Sequence, residues 1–293
     1  MHIGLIGLGK MGSGIALRLV HGGHDVVGFD LDPESRSRAE TAGARTVESI
    51  SALVANLEAP RVIWVMLPAG DITRGLIGEI GKQLEAGDLV IDGGNSDFRD
   101  AAAHQQRLRP FGVSFADIGV SGGQWGWKNG YGLMVGADAE SFDRIVPALQ
   151  SLSADDGYRR VGGIGAGHLV KAIHNGVQYA IMQAYAEGYA LLEAHPDVDS
   201  FAGLSAWQEG SSVRSWLLEQ IIAALEEHPD LDGFGTRVSD SGMGRWTAEE
   251  AIKLAVPTPV LTTALYSRFA SRDEGIANKL LVAARSQIGG QKS

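Results

Sequence analysis

Lys171, His174, Asn175 and Gln178 sit in the run GAGHLVKAIHNGVQYAIMQAYAEGYALLEA, residues 165–194, at offsets of three, four and seven from the lysine. With about 3.6 residues per helical turn, those offsets put all four polar heads on one face. Ala172, Ile173, Gly176 and Val177 fall between them, so a polar stripe crosses an otherwise apolar, Ala-rich helix. Polar groups taken out of water need partners, and the stripe is read as one wall of a reaction site. The plainer alternatives are a lysine snorkelling at the surface and core polar groups satisfied by their neighbours.

Such a site needs elements that bring it a reactive cofactor. Residues 2–8, HIGLIGL, form an apolar run of strand length that leads at once into Gly7-Leu8-Gly9-Lys10-Met11-Gly12. A helical pattern follows over residues 13–21, so the order is strand, GxGxxG turn, helix, which is the dinucleotide-binding fingerprint. Gly7 serves the tight turn, Gly9 lets the backbone approach a pyrophosphate, and Gly12 lets the helix pack against the strand. With 40 glycines in 293 residues the motif alone is weak. Its context strengthens it: Asp30 ends a second strand-like run at 25–30, where a carboxylate would accept hydrogen bonds from ribose hydroxyls and repel a 2′-phosphate. Leu31 follows instead of an arginine, so NAD (NADH) is expected and NADP is disfavoured.

Composition narrows the class. The chain exceeds one typical domain, is 44% hydrophobic and 20% charged, and carries a formal charge of −10. That charge gives no encouragement to nucleic acid or anionic membranes, and neither is expected as a partner. Without cysteine there are no disulfides, thiolate nucleophiles or Cys-held metals, and no metal site is expected. No charged leader precedes the first apolar run and no run reaches membrane-spanning length, so a cytoplasmic enzyme is expected.

The chain reads as two unlike halves. Strand-like runs at 61–66, 88–92, 113–118 and 132–135 alternate with helical stretches such as 46–56, 70–82 and 98–109. This predicts an α/β N-terminal domain over 1–160, with a Rossmann-type doubly wound, mostly parallel sheet. The Gly-rich segment 161–167 then punctuates the chain. Helical patterns at 169–194, 213–227, 247–254 and 258–270 predict an all-α C-terminal domain over 161–293, serving substrate binding and dimerisation.

Loops after strand ends are where doubly wound sheets hold ligands. Leu67-Pro68, DGGNS at 92–96 with Asn95, and VSGG at 120–123 with Ser121, Gly122 and Gly123 occupy such places. For the last two loops, carboxylate binding through backbone N–H groups and plain glycine turns are equal readings from spacing alone. Trp125 and Trp127 are expected in the core, with stacking on a ring-shaped ligand the lesser reading. His168 either joins the site or caps its helix.

GLGKMG at 7–12, DGGNS at 92–96, VSGG at 120–123, GAGHLVKAIHNG at 165–176 and SGMGRWT at 241–247 together resemble the 6-phosphogluconate dehydrogenases over essentially the whole chain. The likeness is to the short, NAD-preferring bacterial branch, which lacks the long C-terminal helical duplication. The resemblance implies that Lys171 is the general base for hydride transfer from C3 and then the acid of decarboxylation, with Asn175 and Gln178 beside it. It implies that Asn95, Ser121, Gly122, Gly123, His174 and Asn175 hold a carboxylate and hydroxyls of a sugar-like substrate. Tyr179 and Arg268 would lie near a substrate phosphate, and Arg285 would reach the site of a neighbouring subunit in a homodimer or dimer of dimers.

Three departures bear on substrate chemistry. The family motif HNGxEY carries a proton-donating Glu where this chain has Gln178, and an amide cannot exchange a proton near neutral pH. SGEGRW becomes SGMGRW, with Met243 in place of a carboxylate, and the tail's FGxH becomes IGGQ, with Gln291 in place of His. A less ionic site is expected, with hydride transfer retained. The expected function is NAD(H)-dependent oxidation resembling the oxidative decarboxylation of 6-phosphogluconate. A dehydrogenase or reductase of an unphosphorylated polyol, hydroxy acid or nucleoside-like ring is the second reading. A catalytically weak, cofactor-binding regulatory protein is the third.

Overall fold

The computed structural model describes residues 1–273, 275–277 and 279 of the chain. The order through the first half is β1 (His2–Ile6), α1 (Lys10–His21), β2 (Asp25–Phe29), α2 (Pro33–Thr41), β3 (Arg45–Val47), α3 (Ile50–Ala55), β4 (Val62–Val65) and α4 (Asp71–Ile80). It continues with β5 (Leu89–Asp92), α5 (Ala101–Leu108), β6 (Ser114–Ser121), α6 (Gly126–Asn129), β7 (Tyr131–Gly136), α7 (Ala139–Leu152) and β8 (Ser153–Gly162). These strands make one sheet in the order β3-β2-β1-β4-β5-β6-β7-β8. All neighbours run parallel except β6 and β7.

The apolar runs are long because both faces of the sheet are buried. Ile3, Leu5, Val62, Trp64, Leu89 and Ile91 enter one core, while Ile6, Val27, Ile63, Val65 and Val90 enter the other. Alternate residues along each strand thus serve opposite helical layers. β8 ends the sheet with Asp155, Asp156, Arg159 and Arg160 exposed and with register shifts against β7. The other margin is β3, three residues long.

Several expectations need correction. Residues 46–56 are not one helix: Thr46 and Val47 pair with β2, and α3 starts after Ser49, whose side chain accepts from the Ala52 N–H. Pro33 opens α2 behind the Asp32 cap, an element that the periodicity did not announce. Residues 161 and 162 still belong to β8, so the span assigned to an all-helical domain begins in strand. The chain divides by contacts into units Met1–Ile173 and His174–Ser293.

The second half continues with α8 (Ala166–Glu193), α9 (Ser200–Gln208), α10 (Trp216–Glu227), α11 (Met243–Lys253) and α12 (Pro259–Ala270). In the second unit, Tyr179 and Ala180 pack with Ala264 and Leu265, and Leu204, Leu218 and Leu225 form a separate cluster. No helix among the described residues is long and apolar enough to cross a membrane.

Candidate active site

In the first unit the parallel strands β1, β4, β5 and β6 deliver their following loops to one edge of the sheet. The order places β1 between β2 and β4, which is the switch point where such sheets bind ligands. Gly7 has φ +93, and a Cβ there would meet the Met66 carbonyl oxygen at 2.5 Å. A Cβ on Gly12 would fall on the Gly7 carbonyl oxygen, so the helix is held against the turn by the lack of a side chain. Gly9 is different: a Cβ there would meet nothing within 4 Å. It stands at the N-terminus of α1, whose first turn has no side-chain cap. That open cradle with uncapped N–H groups fits a pyrophosphate.

Asp30 lies beside the same turn. Its carboxylate accepts the Leu8 N–H at 2.7 Å and the Asp32 N–H at 2.9 Å, which fixes it where ribose hydroxyls would reach it. Leu31 is 86% exposed. The nearest guanidinium in sequence, Arg36, donates to the carbonyls of Asp30 and Leu31 at 2.8 and 3.4 Å. Lys10 is exposed and Met11 packs on the core behind the turn. Leu67 is half-buried and Pro68 exposed, with the Pro68 carbonyl accepting from Thr73 at 2.7 Å.

Asn95 is exposed after β5, while its neighbour Ser96 is buried. Ser121 ends β6, which runs further than the sequence suggested, and Gly122 and Gly123 make the turn beyond it with φ +134 and +53. Trp125 and Trp127 are 43% and 46% exposed, so the expectation that they pack in the core is overturned. They lie on a short helical segment whose backbone is tied to α1 by Arg18, which donates to the Trp127 carbonyl at 3.3 Å.

Lys171 is buried at 6% exposure, and that burial lowers its amine pKa to about 8. An amine without nearby opposite charge is held toward its neutral form when water is removed. His168, one turn earlier, is buried and its backbone N–H is received by Asp117 at 2.7 Å, so the cap comes from β6 and not from His168. α8 runs on without a break into the second unit.

In the second unit, His174 Nδ1 and Asn175 Oδ1 are 3.1 Å apart. Among the described residues, the Gln178 amide makes a long contact of 4.0 Å to the Met182 sulfur, a weak acceptor. Tyr179 and Arg268, read separately from the sequence, come together with the guanidinium 3.7 Å over the ring. The Tyr179 hydroxyl accepts the Ser241 N–H at 3.2 Å, and Arg268 donates to the Ser239 carbonyl at 2.7 Å. Between them Asp240 accepts from Arg245 and Arg272; burial pushes its carboxyl up, but those guanidinium groups and the Gly242 N–H outweigh it and hold it low.

Met243 does not fit its assignment to substrate. Gly242, at φ +88, turns the chain so that Met243 enters α11 pointing inward, and its thioether is 0% exposed. It therefore offers no surface to a ligand. Arg285 and Gln291 lie outside the described residues. Sequence reasoning missed Asp117, whose signal was a carboxylate inside an otherwise apolar strand run, and Asp240, which looked like an ordinary loop residue. Among the described residues no group of three His, Cys, Asp or Glu could hold a metal ion.

A doubly wound sheet with an open glycine cradle, an acidic residue at the end of β2 and a helix bearing a buried lysine places the chain among the nicotinamide-dinucleotide dehydrogenases that act on CH–OH groups. Residues 2–165 match the NAD binding domain of 6-phosphogluconate dehydrogenase, and residues 167–290 match its C-terminal domain. The chain belongs to the 6-phosphogluconate dehydrogenase family. An NAD(+)-dependent, decarboxylating 6-phosphogluconate dehydrogenase of Haloferax volcanii is 38% identical, with 99% of this chain and 97% of that protein covered. A putative 6-phosphogluconate dehydrogenase of Bacillus subtilis is 34% identical, with 99% and 98% covered. The solved 6-phosphogluconate dehydrogenase of Plasmodium falciparum superposes with a TM-score of 0.85 at 27% identity, covering 99% of this chain and 65% of that one.

Proposed function

We propose that the chain is a cytoplasmic, NAD-linked dehydrogenase of a sugar acid, with 6-phosphogluconate the first substrate to be tested. The observation that carries this reading is Lys171, buried with an amine pKa of about 8 on the helical face that also bears His174, Asn175 and Gln178. Bound NAD supplies the hydride acceptor. Neutral Lys171 takes the proton of the C3 hydroxyl as hydride leaves C3, giving a β-keto acid. The charged amine then returns that proton to the carbonyl oxygen as the carboxyl carbon leaves as carbon dioxide. Asn95, Ser121, Gly122, Gly123, His174 and Asn175 orient the carboxylate and hydroxyls. Tyr179 and Arg268 face the phosphate end.

Gln178 favours a second reading. It can hydrogen-bond an enediol but cannot protonate its carbon, a loss of general acid worth about 10² to 10⁴ in rate. A substrate that is only oxidised or reduced, such as an unphosphorylated polyol or hydroxy acid, needs no such acid. The near full-length relatives named for 6-phosphogluconate support the first reading over the second. Ile173, Val177 and Ile181, exposed four residues apart along α8, support a homodimer or dimer of dimers in which a second copy covers that row.

The test is NADH formation from NAD and 6-phosphogluconate, with carbon dioxide followed in parallel. Equal yields of both support the first reading. No NADH from protein that binds NAD overturns it and moves the assignment to unphosphorylated substrates. Gln178→Glu is expected to raise 6-phosphogluconate turnover by about 10²-fold if the parent chemistry is present but lacks its acid.

A further inference from the structure

The buried groups that the proposed chemistry does not use gather in the first unit around one carboxylate. Asp117 is fully buried on β6 and spends both oxygens on the start of α8: Oδ1 accepts the Gly165 N–H at 2.5 Å and Oδ2 the His168 N–H at 2.7 Å. Two residues further along the same strand face, Gly119 has no room for a side chain. A Cβ there would collide with Lys171 Cβ and lie 2.8 Å from the Gly167 carbonyl oxygen. Gly136 on β7 would meet the Asp117 carboxylate and the Gly167 nitrogen, and Gly167 would meet the carbonyls of Asp117 and Met134. The helix is therefore drawn onto the strands until backbone touches backbone.

We propose that Asp117 is a positioning residue which, with Gly119, Gly136 and Gly167, clamps the first turn of α8 to β6 and β7 and so fixes Lys171 in its buried station. The low amine pKa of Lys171 is attributed to burial alone, and that burial follows from the clamp. An ordinary i, i+4 helix start would leave the Gly165 and His168 N–H groups to water. Here one buried carboxyl group accepts both, one on each oxygen.

The groups facing Asp117 are His168 on α8, with Nδ1 4.0 Å from Oδ2, Asp92 on β5, and, beyond them, His104 on α5. On β7 the residue paired with Asp117 is Gly136, which has no side chain to titrate. Burial pushes the Asp117 carboxyl up and Asp92 adds to it, while His168 and the two backbone donors oppose the shift. Among the described residues, His168 Nε2, both ring nitrogens of His104, Asp92 Oδ2 and Ser96 Oγ are buried without a hydrogen-bond partner.

The consequence for function rests on Lys171 being the base, but the clamp is testable without any substrate. The unaltered enzyme is labelled with acetic anhydride across a pH series, and modification of Lys171 is read by mass spectrometry. Asp117→Asn is expected to move the amine pKa upward by about one unit toward the ordinary lysine value, as the loosened helix readmits water. Gly119→Ala, which changes no charge, is expected to do the same by pushing Lys171 off the strand. Variants that fold cooperatively yet label as the unaltered enzyme does would overturn the proposal. Hydrogen exchange covers the case in which neither variant folds. In the unaltered enzyme the Gly165 and His168 amides are expected to exchange only with global unfolding, and exchange at the rate of exposed amides would overturn the clamp. A shifted amine pKa in protein that shows no NADH formation with 6-phosphogluconate keeps the clamp and removes only the substrate assignment.

Discussion

Burial of Lys171 works against stability, and under the proposed function it serves the chemistry. In the unfolded chain its amine protonates near the ordinary lysine value of 10.5, and in the folded chain near 8. Between those pH values the unfolded state holds the extra proton, so the lysine's contribution to stability rises as pH rises through the window. Below about 8 the whole penalty is carried, on the order of 3 kcal/mol. Lys171→Met keeps the length and removes the charge. It is expected to abolish turnover while raising the thermal midpoint at pH 7, which calorimetry checks; a lower midpoint would show the amine to be better satisfied than its burial implies. As the base of the proposed reaction, the same group would set the pH profile. Since the base must be neutral, kcat/KM is expected to climb as pH passes through about 8 and then level off. A profile flat well below that value would remove Lys171 from the role of base.

At the scale of elements, the cofactor cradle depends on two backbones lying too close for a methyl group. Gly12→Ala places a carbon on the Gly7 carbonyl oxygen and is expected to abolish NAD binding, with a loss of about 1–3 kcal/mol of stability. Titration of NAD against intrinsic fluorescence, alongside denaturant unfolding, would separate the two effects. The β1–turn–α1 unit was legible in the sequence because its apolar run, its glycines and Asp30 are all local signals. The polar stripe on α8 was legible for the same reason, since offsets of three and four need only helix geometry. β3 and α2 were not, because β3 is three residues long and the α2 sequence PESRSRAET has no apolar face to announce it. Met243 was misplaced because only the tertiary fold reveals that the left-handed Gly242 turns it inward. Asp117 escaped notice because its partners lie 48 and 51 residues away in the chain.

At the scale of the whole molecule, the exposed apolar row Ile173, Val177 and Ile181 belongs to the longest helix described. Val177→Lys is expected to convert a dimeric species to monomer in light scattering without unfolding the chain; a monomeric unaltered protein would refute the dimer directly. The net charge of −10 keeps such molecules apart except where apolar surface draws them together. The margins of the sheet carry a different consequence. An unpaired strand offers its N–H and C=O row to any passing chain, and open sheets grow into fibres by that route. β3 is too short to template much, and β8 presents Asp155, Asp156, Arg159 and Arg160 on a backbone whose register is broken against β7. Both borders thus discourage a stranger's strand, and concentrated solutions of the protein are expected to stay free of fibres on long standing, which light scattering over time would check.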